Sequence, residues 1–445
     1  MSTTLCDLTK YQTALRQHSA LRFQGRVAQV IGLSIEIEGL RLAVGDVCTI
    51  HPDNDGPYFS AEVVGFRDDR LIVMPFSETH GIRPGSTVFP RGRGFNVPVG
   101  PSLLGRVLNG LAQPIDHRGP LGTTDCYPVN NRPPDPLRRL PVSEPLSLGI
   151  RAMDGLLTCG KGQRLGIFAG SGVGKSTTLG MIARNTQADV NVVALIGERG
   201  REVQEFIDRD LGPEGLARSV VVVATSDQPA LQRIKAAWIA TAVAEYFRDE
   251  GLHVTLMMDS VTRWAMAQRE IGLTVGEPPV VKGYPPSVFA LLPKLMERAG
   301  TGERGTITGL YTVLVDGDDV TEPIADAARS ILDGHVWLSR KLAHENHYPA
   351  IDVLGSVSRC MSALTRPEHR RAASRLRDAL ATYHGSEDLI SIGAYQPGTN
   401  PALDEAIALM PGVLGFLRQE ATEASSYDDT LLELMALFGE ANDGN

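Results

Sequence analysis

The run Phe168–Thr177, FAGSGVGKST, constrains this chain more than any other segment, because it sets a lysine, hydroxyls and consecutive backbone donors at one strand-to-helix turn. Gly170, Gly172 and Gly174 let the backbone curl without Cβ clashes, so that successive N–H groups, those of Ser171 and Val173 among them, point inward at anionic oxygens. Lys175 then reaches the β- and γ-phosphates of a nucleoside triphosphate. Ser176, with Thr177 beside it, offers a hydroxyl to Mg²⁺, and the helix that starts here aims the positive end of its dipole at the same charge. The flanks agree: Arg164–Ala169 reads as a short buried strand and Leu179–Ala183 as the start of an amphipathic helix. Ala169 stands where the phosphate-loop pattern opens with glycine, an exchange that a negative φ tolerates.

With 445 residues the chain has room for two or three domains and an ample core. Charged residues make up 21% and hydrophobic ones 42%, as in a soluble globular protein, and no run of about eighteen apolar residues suggests a membrane span. The first residues, MSTTLCD, lack a basic and then apolar leader, so a cytoplasmic protein is expected. Five cysteines, Cys6, Cys48, Cys126, Cys159 and Cys360, show no CxxC spacing, and reduced structural thiols are expected. The net charge of −9 argues against bulk electrostatic binding of nucleic acid.

Leu5, Leu8, Tyr11 and Leu15 recur at helical spacing, so residues 1–20 read as a short amphipathic segment, a dock for a regulatory partner or a membrane surface, or else a leader packed on the next domain. From 21 to 92, short β-rich runs at 23–31, 33–37, 61–66 and 71–75 imply a small barrel or sandwich. The Pro-rich stretch 127–136 is an extended connector. Beyond it, apolar β runs at 191–196, 219–224, 253–258 and 306–315 alternate with helical patterns, as in a parallel sheet with crossover helices. After Met361 the β signals fade, and 368–382, 400–409 and 427–438 read as helices. The expected organisation is a helical segment at 1–20, a β-barrel domain at 21–92, an ATPase domain at 93–365 and a helical domain at 366–445.

A phosphate loop needs a further carboxylate in the Mg²⁺ shell, usually closing an apolar strand beside its own, and Asp259 closes Val254–Met258. Hydrolysis needs a group that orients water against the γ-phosphate. Glu198, just past the strand 192–196, is the candidate, with Arg199 or Arg201 to hold phosphate or the carboxylate itself. His344 and His347 lie three apart, but without a HExxH pattern or a cysteine pair they do not read as metal ligands.

The ordered set resembles one lineage of RecA-like ATPases over nearly the whole chain. Val97–Asp116, Gly197–Glu202 (GERGRE) and Ala244–Asp249 are similar to the catalytic subunit of rotary ATP synthases. Met258–Gly272 (MDSVTRWAMAQREIG), Lys282–Phe289 (KGYPPSVF) and Asp318–Asp326 are similar to the ATPases of type III protein export, and DSVTR with AMAQ leans toward the flagellar branch. The resemblance implies an α/β fold with a RecA-like core and parallel sheet between a small N-terminal β-barrel and a helical C-terminal domain. It implies ATP and Mg²⁺ as ligands, with Lys175 and Ser176 on the phosphates and metal, Asp259 in the metal shell, Glu198 positioning water and Arg201 as a motif arginine. Gly355–Arg359 resembles the segment that presents an arginine finger to the neighbouring subunit, which implies a homohexamer in which Arg359 completes its neighbour's site. His347–Asp352 (HYPAID) resembles a segment whose tyrosine packs on adenine, making Tyr348 the base platform, with Tyr395 for the opposite face.

The implied partners are stalk and regulatory stator proteins of an export apparatus, export substrates and their chaperones, at the inner face of the cell membrane, with nucleic acid unlikely. The alternatives are a virulence secretion ATPase, a rotary catalytic subunit and a Rho-like RNA translocase. Ala381–Asp388 is shorter and less acidic than the lever segment of a rotary subunit. RNA-stimulated hydrolysis would mark a Rho-like enzyme. A non-catalytic ring subunit would keep the phosphate loop and lose the acid, yet Glu198 and Arg359 both stand here.

Overall fold

The computed structural model describes residues 23–52, 57–78, 80–92, 94–123, 125–315, 319 and 321–439, so the helical segment expected at 1–20 lies outside the described residues. Two compact units emerge, one running to Phe95 with Thr274–Gly276, the other comprising Asn96–Leu273 and the chain from Glu277 on.

In the first unit six described strands, β1 (Gly25–Ile31), β2 (Ser34–Glu38), β3 (Val47–His51), β4 (Phe59–Arg67), β5 (Arg70–Pro75) and β6 (Thr87–Gly92), close a barrel in the order β1-β2-β5-β4-β3-β6. Alternation puts Ile35 and Ile37, Ala61 and Val63, and Leu71 and Val73 inside with Cys48, Ile50 and Val88. Closure leaves no free sheet edge. Of the two forms left open by the β-rich runs, the barrel is the one adopted. The strands β3 and β6, which the sequence pattern did not single out, supply the joint that closes it.

The second unit is built on a sheet whose strands are β8 (Val107–Asn109), β10 (Arg164–Ala169), β11 (Val190–Ile196), β12 (Ser219–Ala224), β13 (His253–Asp259), β15 (Thr306–Leu314), β16 (Gly334–Leu338) and β17 (Ile351–Ser358), in the order β17-β16-β10-β15-β13-β11-β12-β8. All neighbours are parallel except β17 on β16, and the short β14 (Gly300–Thr301) pairs antiparallel with β15. The central strands are buried but for His253 at the start of β13, because helices such as Ala230–Asp249 cover them and a parallel sheet hides both faces. Within the Pro-rich connector region, β9 (Asp125–Pro128) pairs antiparallel with β7 (Asn96–Val99), so its first residues are strand and the rest, which bends at 129–130 and turns at Pro136, belongs to no helix or strand.

Helices Pro367–His384, Pro401–Leu417 and Tyr427–Ala436 follow, with a short one at Glu387–Ser391 between them. They join the core of the sheet unit: Leu376, Val413, Phe416 and Leu434 pack in one apolar cluster with Met153, Leu156 and Leu179. Each such side chain contributes about 1.5–3 kcal/mol on burial. That packing brings residues past 400 within reach of the phosphate loop.

Candidate active site

Strand order places the chemistry. Parallel strands all end on one edge, and β10, β11 and β13 deliver the phosphate loop, Glu198 and Asp259 there. Asp259 is one strand further from β10 than the sequence reading expected, since β15 lies between β10 and β13. The intervening strand contributes as well: Thr312 Oγ1 donates to Asp259 Oδ1 at 2.7 Å.

The turn after β10 has the left-handed residues it needs, with φ of 78° at Gly172 and 89° at Gly174, and Gly174 caps the helix Lys175–Asn185. Ala169 is not among the residues with positive φ, so the exchange for glycine costs nothing in backbone conformation. Val173 is buried under the loop, whereas Ser171 and Ser176 are exposed toward a cavity of about 670 Å³. Gly170, Gly172, Gly174, Lys175, Ser176 and Thr177 line that cavity with Glu198 and Arg201.

Lys175 Nζ meets Asp259 Oδ1 in a short ion pair and Glu198 Oε1 at 3.3 Å. Burial by itself would lower the lysine's pKa, but the charges of Asp259 and Glu198 outweigh it and hold the ammonium above its ordinary value. Glu198 moves the other way for a carboxylic acid: burial first, then the Asp259 charge, push it up to about 7, against the pull of Lys175. Two carboxylates thus face one ammonium, and Glu198, which also meets the Glu202 carboxyl, is the one eased toward its neutral form.

Arg201 stands on the helix Gly200–Glu205, exposed and paired with Glu205 at 3.5 Å. Arg263 lines the same cavity, a residue inside the DSVTR string to which the sequence reading assigned no role. Its Nε–H is buried with no partner, and its stem packs so closely on Gly197 that a Cβ there would come within 2.8 Å. An arginine one turn past a strand-end aspartate was the signal available.

A second cavity, of about 690 Å³, shares Gly174 and Thr177 with the first and is walled by Tyr348, Pro349 and residues 418–421 with Glu423. The Tyr348 ring lies 3.5 Å from where a Cβ on Gly174 would stand. Tyr395 is not brought here. Its hydroxyl is held by Asp404 Oδ1 at 2.8 Å and Asn400 O at 3.1 Å, and it lines neither cavity. Arg418 and Gln419, which the sequence reading passed over, occupy the wall instead. Arg359 also lines neither cavity of its own chain: it is exposed after β17, its guanidinium 3.4 Å from Arg329 O. His344 ends the helix Arg340–His344, and His347 is buried beyond Asn346, whose φ of 53° turns the chain away.

The ATP synthase alpha/beta family, nucleotide-binding domain, matches residues 149–358, and the β-barrel domain of the same family matches 27–92. The T3SS EscN ATPase C-terminal domain matches 365–436. The flagellum-specific ATP synthase of Bacillus subtilis strain 168 is 54% identical over 418 residues, 93% of this chain and 95% of its own. The chain belongs to the type III export ATPases. The type 3 secretion system ATPase of Xanthomonas euvesicatoria is 51% identical over 420 residues, 94% of this chain and 95% of its own. The assembled ATPase EscN of the enteropathogenic E. coli type III secretion system superposes with a TM-score of 0.88 at 46% identity, covering 93% of this chain and 99% of EscN. EscN with its central stalk EscO gives 0.86 at the same identity and coverage. The barrel, the parallel-sheet core and the helical C-terminal region are those of this family of ATP-hydrolysing export enzymes, and the C-terminal match sets the chain apart from a rotary catalytic subunit.

Proposed function

We propose that this export ATPase hydrolyses ATP at the meeting point of Lys175, Glu198 and Asp259 and works as a homohexameric ring that unloads or unfolds export substrates, in flagellar assembly before virulence secretion. The observation that carries the reading is the convergence of Lys175, Glu198 and Asp259 at the phosphate loop, beside a cavity that Arg201 and Arg263 also line.

The donor set fits Mg²⁺, since the Ser176 hydroxyl, which lines the cavity, and the Asp259 carboxylate, which meets the Lys175 ammonium, are hard oxygen ligands. Held there with the nucleotide by Ser176 and Asp259, Mg²⁺ would neutralise charge developing on the phosphoryl oxygens. Lys175 exchanges its carboxylate partners for the β- and γ-phosphates, which it binds as a point charge. The backbone N–H groups from Gly170 to Gly174 hold the remaining oxygens. Glu198, freed of Lys175, accepts a hydrogen bond from the attacking water and orients it in line with the γ-phosphate. Arg201 and Arg263 supply further positive charge at the cavity wall. Tyr348 offers a flat face for adenine, which stacking holds without reading its edge.

Arg359 acts in the next subunit's site, where a fixed guanidinium stabilises the transferring group. That role explains its place outside both cavities of its own chain, and it makes hydrolysis depend on assembly. The assembled state and central stalk seen with EscN support the ring and a stalk partner. Membership of the family supports stator proteins, chaperones and export substrates as partners, at the cytoplasmic face of the membrane. The near-equal identity to flagellar and virulence relatives keeps both export systems in view, and the DSVTR and AMAQ strings favour the flagellar one.

Glu198→Gln tests the centre of this reading. The variant should bind Mg·ATP with ordinary affinity and fail to turn it over; steady-state hydrolysis at the parent's rate would remove Glu198 from the mechanism.

A further inference from the structure

The stretch from Arg418 to Glu423 that helps wall the Tyr348 cavity belongs to no helix or strand, so something outside it must set its shape. Two buried side chains do so. Arg151, 7% exposed, sends Nε to Phe416 O at 2.9 Å and Nη2 to Arg418 O at 2.5 Å, while Nη1 meets Glu423 Oε1 in a short ion pair. Phe416 and Arg418 close the helix Pro401–Leu417, whose last carbonyls have no partners within the helix, so the guanidinium serves as its C-terminal cap.

Gln419, 5% exposed, returns the favour. Its Oε1 accepts from Arg151 N at 2.9 Å, capping the helix Arg151–Leu156, and its Nε2 donates to Gly149 O at 2.9 Å and Glu423 O at 3.1 Å. The backbone N–H of Gln419 donates to Tyr348 O at 2.9 Å, which ties the wall to the base platform itself. Arg184, on the phosphate-loop helix, donates to Ala421 O at 2.6 Å and joins the same segment to the phosphate side.

We infer that Arg151 and Gln419 are positioning residues for the nucleobase: by capping the helices Pro401–Leu417 and Arg151–Leu156 they hold residues 418–423 beside Tyr348, and they govern how tightly the base, rather than the triphosphate, is bound. The inference rests on reading the Tyr348 cavity as the base site. A loosened wall must be ordered again each time a nucleotide binds, and that cost falls on affinity. The phosphate loop, held by β10 and its own helix, meets the segment only through Arg184 near the far end of that helix and shares little of the cost.

The experiment compares equilibrium binding of Mg·ATP and of Mg·inorganic triphosphate, which has no base, by the full-length protein, its Gln419→Ala variant and its Tyr348→Ala variant. Gln419→Ala should weaken Mg·ATP about tenfold, or 1.4 kcal/mol, with triphosphate binding changed less than about twofold, and its KM for ATP should rise more than its kcat falls. Equal weakening of both ligands, or of neither, overturns the inference. If Tyr348→Ala leaves the preference of ATP over triphosphate intact, the base-site reading fails. If Tyr348→Ala removes that preference and Gln419→Ala does not, the positioning role alone fails. Gln419→Glu keeps the cap on Arg151 and loses both Nε2 bonds, and it carries the same test should the alanine variant not fold.

Discussion

Two buried charged clusters in the sheet unit are made of the same chemistry and behave in opposite ways. Arg298 and Glu245 are fully buried and matched one to one, Nε to Oε1 at 2.8 Å and Nη2 to Oε2 at 2.6 Å, with Val129 O at 2.6 Å from Nη1 and Asn131 Nδ2 at 3.1 Å from Glu245 Oε2. The planar fork and the carboxylate satisfy each other and pin the connector to the helix Ala230–Asp249. At the phosphate loop, Lys175 faces both Glu198 and Asp259, and the odd carboxylate is driven toward neutrality, to about pH 7 for Glu198. A matched cluster needs nothing further. On the reading proposed above, an unmatched one is where Lys175 can trade a carboxylate for phosphate oxygens and where an arginine from a neighbour adds charge.

The comparison breaks most visibly if the charge supplied from outside is removed. Arg359→Ala should fold and bind nucleotide, yet lose roughly 10³–10⁵ in turnover together with the steep rise of activity with protein concentration. A concentration curve like the parent's would count against action across a subunit boundary. Next in size, Glu198→Gln should lower turnover by about 10²–10⁴ in assays that still show nucleotide bound.

The matched pair predicts the reverse pattern, a loss of stability with chemistry spared. Arg298→Ala leaves Glu245 buried without its partner and should cost about 3–5 kcal/mol in denaturant unfolding, while the folded fraction hydrolyses ATP normally. Replacing both, as Arg298→Met with Glu245→Leu, should recover most of that loss. A double variant no better than the single one would show that the bonds to Val129 and Asn131 matter more than the charge balance.

The smallest effect is a pH dependence confined to the unmatched cluster. The folded pKa of Glu198, about 7, lies above its ordinary 4.5, so the protonated acid is favoured in the folded state. Its contribution to stability is therefore complete below about pH 4.5 and is lost as pH rises through 7. Nucleotide-free protein should lose thermal stability relative to Glu198→Gln between pH 5 and 8, by a few degrees at most. Parallel curves for the two proteins would mean that Glu198 titrates normally.

What could be read in the sequence depended on how local the cause was. The phosphate loop, the strand Arg164–Ala169 and the strand Ser219–Ala224 were legible to the residue, since glycine spacing and unbroken apolar runs are local signals. The helices after Met361 were legible in position, though Pro401–Leu417 runs eight residues past the expected end at Leu409 because Pro411 is tolerated within it. The strands β16 and β17 were not singled out. Gly334–Leu338 is short, and Ile351–Ser358 is an edge strand carrying Asp352 and Gly355 with exposed positions, so neither shows an apolar run. Tyr395 was paired by motif with Tyr348, whereas packing sets its hydroxyl against Asp404 and Asn400, away from the Tyr348 cavity.

By itself the sequence determined that this chain carries a nucleotide-binding phosphate loop, which strand ends place Glu198 and Asp259, and to which family of export ATPases it belongs. Those properties reside in contiguous strings, where the order of residues along the backbone already sets their spacing in space. Only the tertiary structure decided that Thr312 braces Asp259 from an intervening strand, that Arg263 shares the phosphate cavity, and that Arg151 and Gln419 shape the wall beside Tyr348. Arg151 and Gln419 stand 268 positions apart, and no local pattern can announce a contact that exists only because two helix ends, packed on one core, each lack a hydrogen-bond partner that the other supplies.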